Sequence, residues 1–329
     1  MRIHYLLTMR PAPRRPLIVR LRNWVGDVTL GLPMLQRLAA EGHDLILIGK
    51  GWARDLLAGQ GWPVHVLPKT LLERVQLLRR LRGEIRARHA PTGRGIDALC
   101  LPDSFSSALE FRLAGLRALG HAWEGRSWLL ARALPRPRAT HELAVYWALG
   151  DALLERSAEL PSQIALSPTA EQRAQAQALR QAHGLPADCV LICPFAGGTW
   201  DQRDKTWPAF AEFVARELPA LGRPVVVCPG PGDEERVARE QFASALLLPG
   251  VKLGVYAALL EDAALMVSNV TGPGHLAAAV GTPLVSVMGP SDPRLWHPWG
   301  ARVQVLGGHG RWPEMDAVVE ASRQALASR

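Results

Sequence analysis

Along this chain, short apolar runs alternate with longer stretches whose apolar positions recur every three or four residues. Pro16 to Leu21 is an apolar run of strand length. After the polar turn Arg22 to Asp27, the positions Val28, Leu32, Leu35 and Leu38 fall on one face of a helix running to Ala40. The pairing then repeats. Asp44 to Ile48 predicts a strand and Trp52 to Ala58 a helix. Val64 to Leu67 predicts a strand and Thr70 to His89 a helix with a dense basic face. Ile96 to Leu101 predicts a strand, followed by a helix through Leu113. Strands separated by helices are joined by crossovers, so they lie parallel with helices on both faces of the sheet. Residues 119–140, rich in Trp and Arg, show no period and read as irregular.

A second series follows a linker. His141 to Ala158 predicts a helix that approaches the linker, and Pro161 to Pro168 crosses it. Thr169 to His183 predicts a helix, Val190 to Cys193 a strand, and Phe195 to Trp207 a long polar, Gly-containing turn. Ala209 to Leu218 predicts a helix, Val225 to Cys228 a strand, and Pro229 to Glu235 a strand-to-helix turn. A final helix is expected over Trp312 to Ala327. The chain therefore divides into domains at residues 1–160 and 161–329, both α/β with parallel sheets, with a cleft where the carboxyl ends of their strands face each other.

Within the second series, Ala263 to Ser291 contains no Lys, Arg, Asp or Glu. A buried strand ending at Val270 leads through the turn Thr271-Gly272-Pro273-Gly274 into a small-residue helix, His275 to Val280, and on to a strand from Leu284 to Met288. Such a unit points free helix N–H groups at the carboxyl end of the sheet, where a diphosphate could bind. Gly272-x-Gly274-x-x-Ala277, with Asp292 further on, also matches the dinucleotide fingerprint. That fingerprint belongs after the first strand of a nicotinamide-binding domain, whereas here most of the chain precedes it. The Gly and Pro breaks, with Asn269 and His275, argue against a membrane span.

Composition narrows the partners. The chain has 329 residues, a net charge of +8 and 48% hydrophobic residues. The positive balance favours an anionic partner: nucleic acid, an acidic membrane surface or a phosphorylated substrate. Cys100, Cys189, Cys193 and Cys228 form no C-x-x-C pair and lie in or beside apolar runs, as buried free thiols do. Residues 1–15 are basic and Pro-containing and read as a loose lead-in without a signal peptide. No metal-binding pattern is present.

Two polar residues stand out beside the turn. Asp27 opens the helix after the first strand, where it could serve as a general base or simply complement the helix dipole. Lys205 is a cation in the polar loop that also holds Gly197, Gly198 and Thr199, where it could hold an anionic ligand or simply belong to a solvated loop. Asp233 and Glu234, at the start of a helix, could accept from ribose hydroxyls or could be ordinary first-turn acids. The residues alone leave each pair of alternatives open.

Together these segments resemble a known family. Asn23-Trp24-Val25-Gly26-Asp27-Val28 is similar to its Gly-Asp turn, and Leu101-Pro102-Asp103-Ser104-Phe105-Ser106-Ser107-Ala108 to its L-P-[ND]-S-F-x-S-A segment. Lys205-Thr206-Trp207-Pro208 is similar to its K-x-W-P, Ser268 to Ala279 to S-N-D-[ST]-G-x-x-H-x-A-A-A, and Gly289-Pro290-Ser291-Asp292-Pro293 to its closing G-P-[ST]-x-P. The family is the ADP-heptose:lipopolysaccharide heptosyltransferases, glycosyltransferase family 9. The resemblance implies a GT-B architecture, two Rossmann-like domains facing across a cleft, with the last helix packed back on the first domain. It implies an inverting transfer of heptose from a nucleotide-sugar to the lipopolysaccharide inner core, with no metal and no cofactor beyond the nucleotide-sugar substrate. Asp27 would be the catalytic base and Lys205 a catalytic, donor-binding lysine. Gly197, Gly198, Thr199, Asp233, Glu234, Thr271, Gly272, Pro273, Gly274 and His275 would complete the donor site. Trp24, Gly26, Ser104, Ser106 and Arg126 would face the lipid-linked acceptor. The implied setting is the cytoplasm, at the anionic surface of the inner membrane, with no nucleic-acid partner. One position departs from the pattern: Val270 stands where the family usually has Asp.

Overall fold

The computed structural model describes residues 14–88, 95–197 and 199–327. The first sheet contains β1 (Arg15–Arg20), β2 (His43–Gly49), β3 (Val64–Val66), β4 (Ala98–Cys100), β5 (Ala118–Ala122) and β6 (Arg132–Pro135). All its pairings are parallel, in the order β3-β2-β1-β4-β5-β6. Its helices are α1 (Val25–Ala40), α2 (Gly51–Leu56), α3 (Leu71–Arg88), α4 (Phe105–Ala114) and α5 (Glu142–Leu154).

The second sheet contains β7 (Val190–Cys193), β10 (Val225–Val227), β11 (Leu246–Leu247), β12 (Leu265–Asn269), β13 (Leu284–Met288) and β14 (Val303–Gly307). A two-stranded antiparallel ribbon, β8 (Thr199–Trp200) and β9 (Arg203–Asp204), stands apart from it. The main strands are again all parallel, in the order β11-β10-β7-β12-β13-β14. The helices here are α6 (Ala170–Ala182), α7 (Phe210–Glu212, continued by a π-helical turn over Phe213–Glu217), α8 (Asp233–Gln241), α9 (Leu253–Asp262), α10 (Gly272–Val280), α11 (Pro293–Trp296) and α12 (Met315–Ala327).

Both sheets thus share the doubly wound order 3-2-1-4-5-6. In such sheets the chain leaves β1 and β4, or their equivalents β7 and β12, in opposite directions and opens a crevice at the carboxyl ends. The central strands are buried on both faces, which is why they read as unbroken apolar runs rather than alternating ones. We place the domain division at residues 160–161, in the extended segment between α5 and α6. The halves meet where α1 packs on α10 and α2 on α9. Asp55 accepts from Gly254 N at 2.7 Å and Gln172 donates to Asp55 O at 2.8 Å across that boundary.

Several expectations are corrected. Residues 119–140 are not irregular: β5 and β6 extend the first sheet there. Helix α5 ends at Leu154, where Glu155 turns left-handed with φ 52°, rather than running to Ala158. The polar turn after β7 folds partly into the β8–β9 ribbon. Strand β12 stops at Asn269, so Val270 lies in the bend beyond it. The final helix begins at Met315, and its main contacts are with β12, β13 and β14 of its own sheet, not with the first domain. The lead-in up to residue 13, His89 and Gly198 lie outside the described residues.

Candidate active site

The candidate residues gather at the two crevices. Asp27 belongs to the first turn of α1, directly after β1, and Thr271 to His275 form the bend and first turn after β12. Because α1 packs on α10, these two helix N-termini converge. Glycines make the approach possible. A Cβ on Gly26 would lie 2.8 Å from His275 Cδ2, and one on Gly272 would lie 2.8 Å from Val25 Cβ. Between the domains lies a cleft of about 440 Å³. It is lined by Trp24, Gly26 and Asp27 on one side, and by Gly197, Thr199, Lys205, Glu234, Thr271, Gly272, Pro273 and His275 on the other.

Asp27 is 8% exposed. Its Oδ1 accepts from Tyr146 Oη at 2.7 Å and from Arg22 Nε at 3.1 Å. Arg22 also donates through Nη1 to Asp103 Oδ2 at 3.0 Å. A carboxylate that serves only a helix dipole has no need of two further donors. Across the cleft, Thr271 at the N-cap of α10 is extended with φ −154° and its hydroxyl makes no capping bond, so among the described residues no side chain takes up the first-turn N–H groups of Gly272 and Gly274. Pro273, in the same turn, fixes the backbone without adding a donor.

Lys205 follows the β8–β9 ribbon and is half-buried. Burial lowers its pKa, opposed by neighbouring Asp204, and among the described residues it forms no ion pair. Its loop is held by Asn269, a fully buried side chain at the end of β12. Asn269 Oδ1 accepts from Trp207 N at 3.0 Å, and its Nδ2 donates to Pro194 O at 2.6 Å. One buried amide therefore ties the lysine loop, the end of β7 and the α10 turn into a single rigid unit. His275 is neutral. Burial, then His141, His297 and Lys205, push its pKa down to about 3.

Four expected site residues fall elsewhere. Arg126 is fully buried and donates to His121 O at 2.9 Å, Ser104 O at 3.1 Å and Ser107 Oγ at 3.2 Å, with Asp103 at 3.5 Å; it braces the turn after β4 and presents nothing to an acceptor. Asp233 points into solvent, 3.8 Å from Arg236, whereas its neighbour Glu234 does reach the cleft and accepts from Gly230 N at 2.7 Å. Ser104 is the N-cap of α4, and Ser106 is exposed beside it; both follow the interior strand β4 at its carboxyl end, outside the cleft lining. Conversely, Val25, Val270, Ser291 and Trp296 line the cleft. Ser291 belongs to the Gly-Pro-Ser segment after β13 and Trp296 ends the short helix α11; no sequence signal assigned either of them to the site.

Two doubly wound sheets that face each other across such a cleft define a GT-B protein. Residues 95–325 match the model of glycosyltransferase family 9 (heptosyltransferase), and the chain belongs to that family. It is 33% identical to lipopolysaccharide heptosyltransferase 1 of Escherichia coli (strain K12) over 131 residues, 39% of this chain and 38% of that protein. The match thus spans well under half of that relative's length. With lipopolysaccharide heptosyltransferase 2 of Salmonella typhimurium, identity is 27% over 305 residues, 86% of this chain and 85% of that protein. The solved structure of E. coli ADP-heptose lipopolysaccharide heptosyltransferase II superposes with a TM-score of 0.76 at 25% identity, covering 95% of this chain and 99% of that one.

Proposed function

We propose that the protein is an inverting glycosyltransferase that moves a heptose, or a related sugar, from a nucleotide-sugar to a hydroxyl of the lipopolysaccharide inner core. The observation that carries this reading is the meeting, in one cleft, of a buried carboxylate from the first domain with an uncapped helix N-terminus and a lysine from the second. In this scheme Asp27 takes the proton of the acceptor hydroxyl through Oδ2, the oxygen to which no described residue donates. The acceptor oxygen attacks the anomeric carbon from the face opposite the diphosphate, and inversion follows. The N–H groups of α10, which carry about half a positive charge at the helix end, and Lys205 stabilise the departing diphosphate. Glu234, which lines the cleft, would accept from the nucleoside. Trp24, which lies 3.7 Å from where a Cβ of Gly197 would sit, spans the cleft mouth and helps exclude water.

ADP-heptose is the donor we favour, because the similar E. coli structure is that of an ADP-heptose enzyme. Val270 supports a second possibility within this reading, a different sugar on the nucleotide. It lines the cleft next to the diphosphate turn and offers no acceptor for a sugar hydroxyl. The acceptor would be met at the cytoplasmic surface of the inner membrane. Among the described residues no helix is long and apolar enough to cross a membrane. Exposed Leu72, Phe105, Trp123 and Trp128 follow β3, β4 and β5 at the carboxyl edge of the first sheet, among Lys50 and Lys69 and, of opposite sign, Glu73 and Glu124. The apolar bodies and polar N–H tips of Trp123 and Trp128 suit a headgroup layer. The test is a donor screen with purified protein, offering ADP-heptose, other ADP-sugars, UDP-sugars and GDP-sugars to a lipopolysaccharide core acceptor. Transfer from ADP-heptose supports the reading; transfer from none of them refutes it.

A further inference from the structure

Under the cleft, Asp27 is gripped from a helix that contributes nothing else to it. Tyr146 stands in the middle of α5, which packs along α1. The two helices approach closely because Gly150, one turn beyond Tyr146, has no side chain: a Cβ there would lie 2.9 Å from Met34 Cγ on α1. At that spacing the Tyr146 ring is 2% exposed, and its hydroxyl reaches Asp27 Oδ1 at 2.7 Å. Burial, reinforced by Asp27, raises the Tyr146 pKa well above its ordinary value, so the phenol remains a donor. Arg22 Nε occupies the same carboxylate oxygen at 3.1 Å and is itself fixed by Asp103. Both donors therefore converge on Oδ1.

We propose that Tyr146 is a positioning residue: with Arg22 it saturates Oδ1 of Asp27, fixes the carboxylate plane and leaves Oδ2 as the oxygen that takes the acceptor's proton. This rests on Asp27 being the base. A base delivers its rate only when a third group holds it in the productive orientation. With one of two donors removed, the carboxylate can rotate about its Cβ–Cγ bond and offer either oxygen, or turn toward Arg22 alone.

The test is Tyr146→Phe, which removes one oxygen and keeps the ring. The expected result is a fall in kcat of up to about 100-fold, with KM for donor and acceptor and the thermal midpoint close to wild type. The double variant Asp27→Asn/Tyr146→Phe should be no slower than Asp27→Asn, because Tyr146 acts through Asp27. Should Tyr146→Phe fold poorly, Arg22→Gln withdraws the other donor from outside the helix pair and is expected to give the same split between kcat and KM. Unchanged kcat in a folded Tyr146→Phe, or an additional loss in the double variant, overturns the proposal. Near-wild-type turnover in Asp27→Asn instead removes the base from the scheme, and so separates failure of the proposed mechanism from failure of the positioning role.

Discussion

Acid should weaken the contact between the two domains through His141. This residue is the N-cap of α5: its Nδ1 accepts from Leu143 N at 3.2 Å. A ring nitrogen that accepts cannot carry the proton, so Nε2 does, and it donates to His297 O at 2.9 Å in the other domain. The His141 ring also lies 4.4 Å from that of His297 and 4.9 Å from that of Trp299. Protonation would set an N–H on Nδ1 against the N–H of Leu143 and place a charge in an enclosed aromatic site. Burial first, and then His297, push the His141 pKa down to about 4, against the backbone bond that favours the cation. An unfolded histidine titrates near 6.5, and a gap of roughly two and a half units corresponds to about 3 kcal/mol. The folded value is the lower one, so this stabilisation is complete above about pH 6.5 and is lost as pH falls from there toward 4. Urea unfolding of wild type and His141→Asn at several pH values across that window measures it. Asn can still cap α5 but cannot titrate. Wild type should lose up to about 1.4 kcal/mol per pH unit more than the variant. Parallel stability curves for the two proteins would refute the assignment, because His275 and the other histidines titrate in both.

Three further outcomes follow from the cleft. Lys205→Ala should lower nucleotide-sugar affinity, read by calorimetry, and slow transfer, read by initial rates, by about 10²- to 10³-fold; Lys205→Arg should recover part of this only if a point charge suffices. Val270→Asp should leave ADP affinity nearly unchanged while sharpening selectivity among ADP-sugars toward heptose; equal selectivity in both proteins would make the position neutral. Gly26→Ala forces a methyl against His275 and should cost about 1–3 kcal/mol of stability and weaken donor binding, read by denaturant unfolding and titration.

The two parallel sheets were legible in the sequence because their central strands are buried on both faces and read as apolar runs; Asp27 and Thr271 to His275 stood out in the turns that follow two of those strands, whereas Lys205, behind the exposed strand β9, stood out only through the Lys-Thr-Trp-Pro resemblance. Strands β5 and β6 were not legible. In β5 the apolar run is broken by Gly120 and His121, and β6, only partly buried, is bounded by Arg132 and Pro135, so neither reads as a strand period. Arg126 misled because a cation beside a polar turn has the same sequence signature whether it faces a ligand or is spent on backbone carbonyls. Tyr146 gave no signal at all. Its hydroxyl meets Asp27 only because α5 returns from beyond the first sheet to lie on α1, a contact between positions 119 residues apart. Asn269 was visible as part of a motif, but its task of holding the lysine loop depends on β7 and β12 being neighbours.

The packing of α12 on its own sheet alters what kind of object this chain is. Among the described residues no strand passes from one sheet to the other, and the last helix packs mainly on its own sheet. Among the described residues the polypeptide therefore crosses the boundary once, through the stretch held by Trp299 Nε1 donating to Pro161 O and by Leu166 N donating to Ala279 O. In assembly terms the molecule is a heterodimer written as one chain. Severed in that stretch and synthesised as two fragments, each half keeps a complete sheet. The covalent link then contributes effective concentration to a docking that the α1–α10 and α2–α9 surfaces already encode.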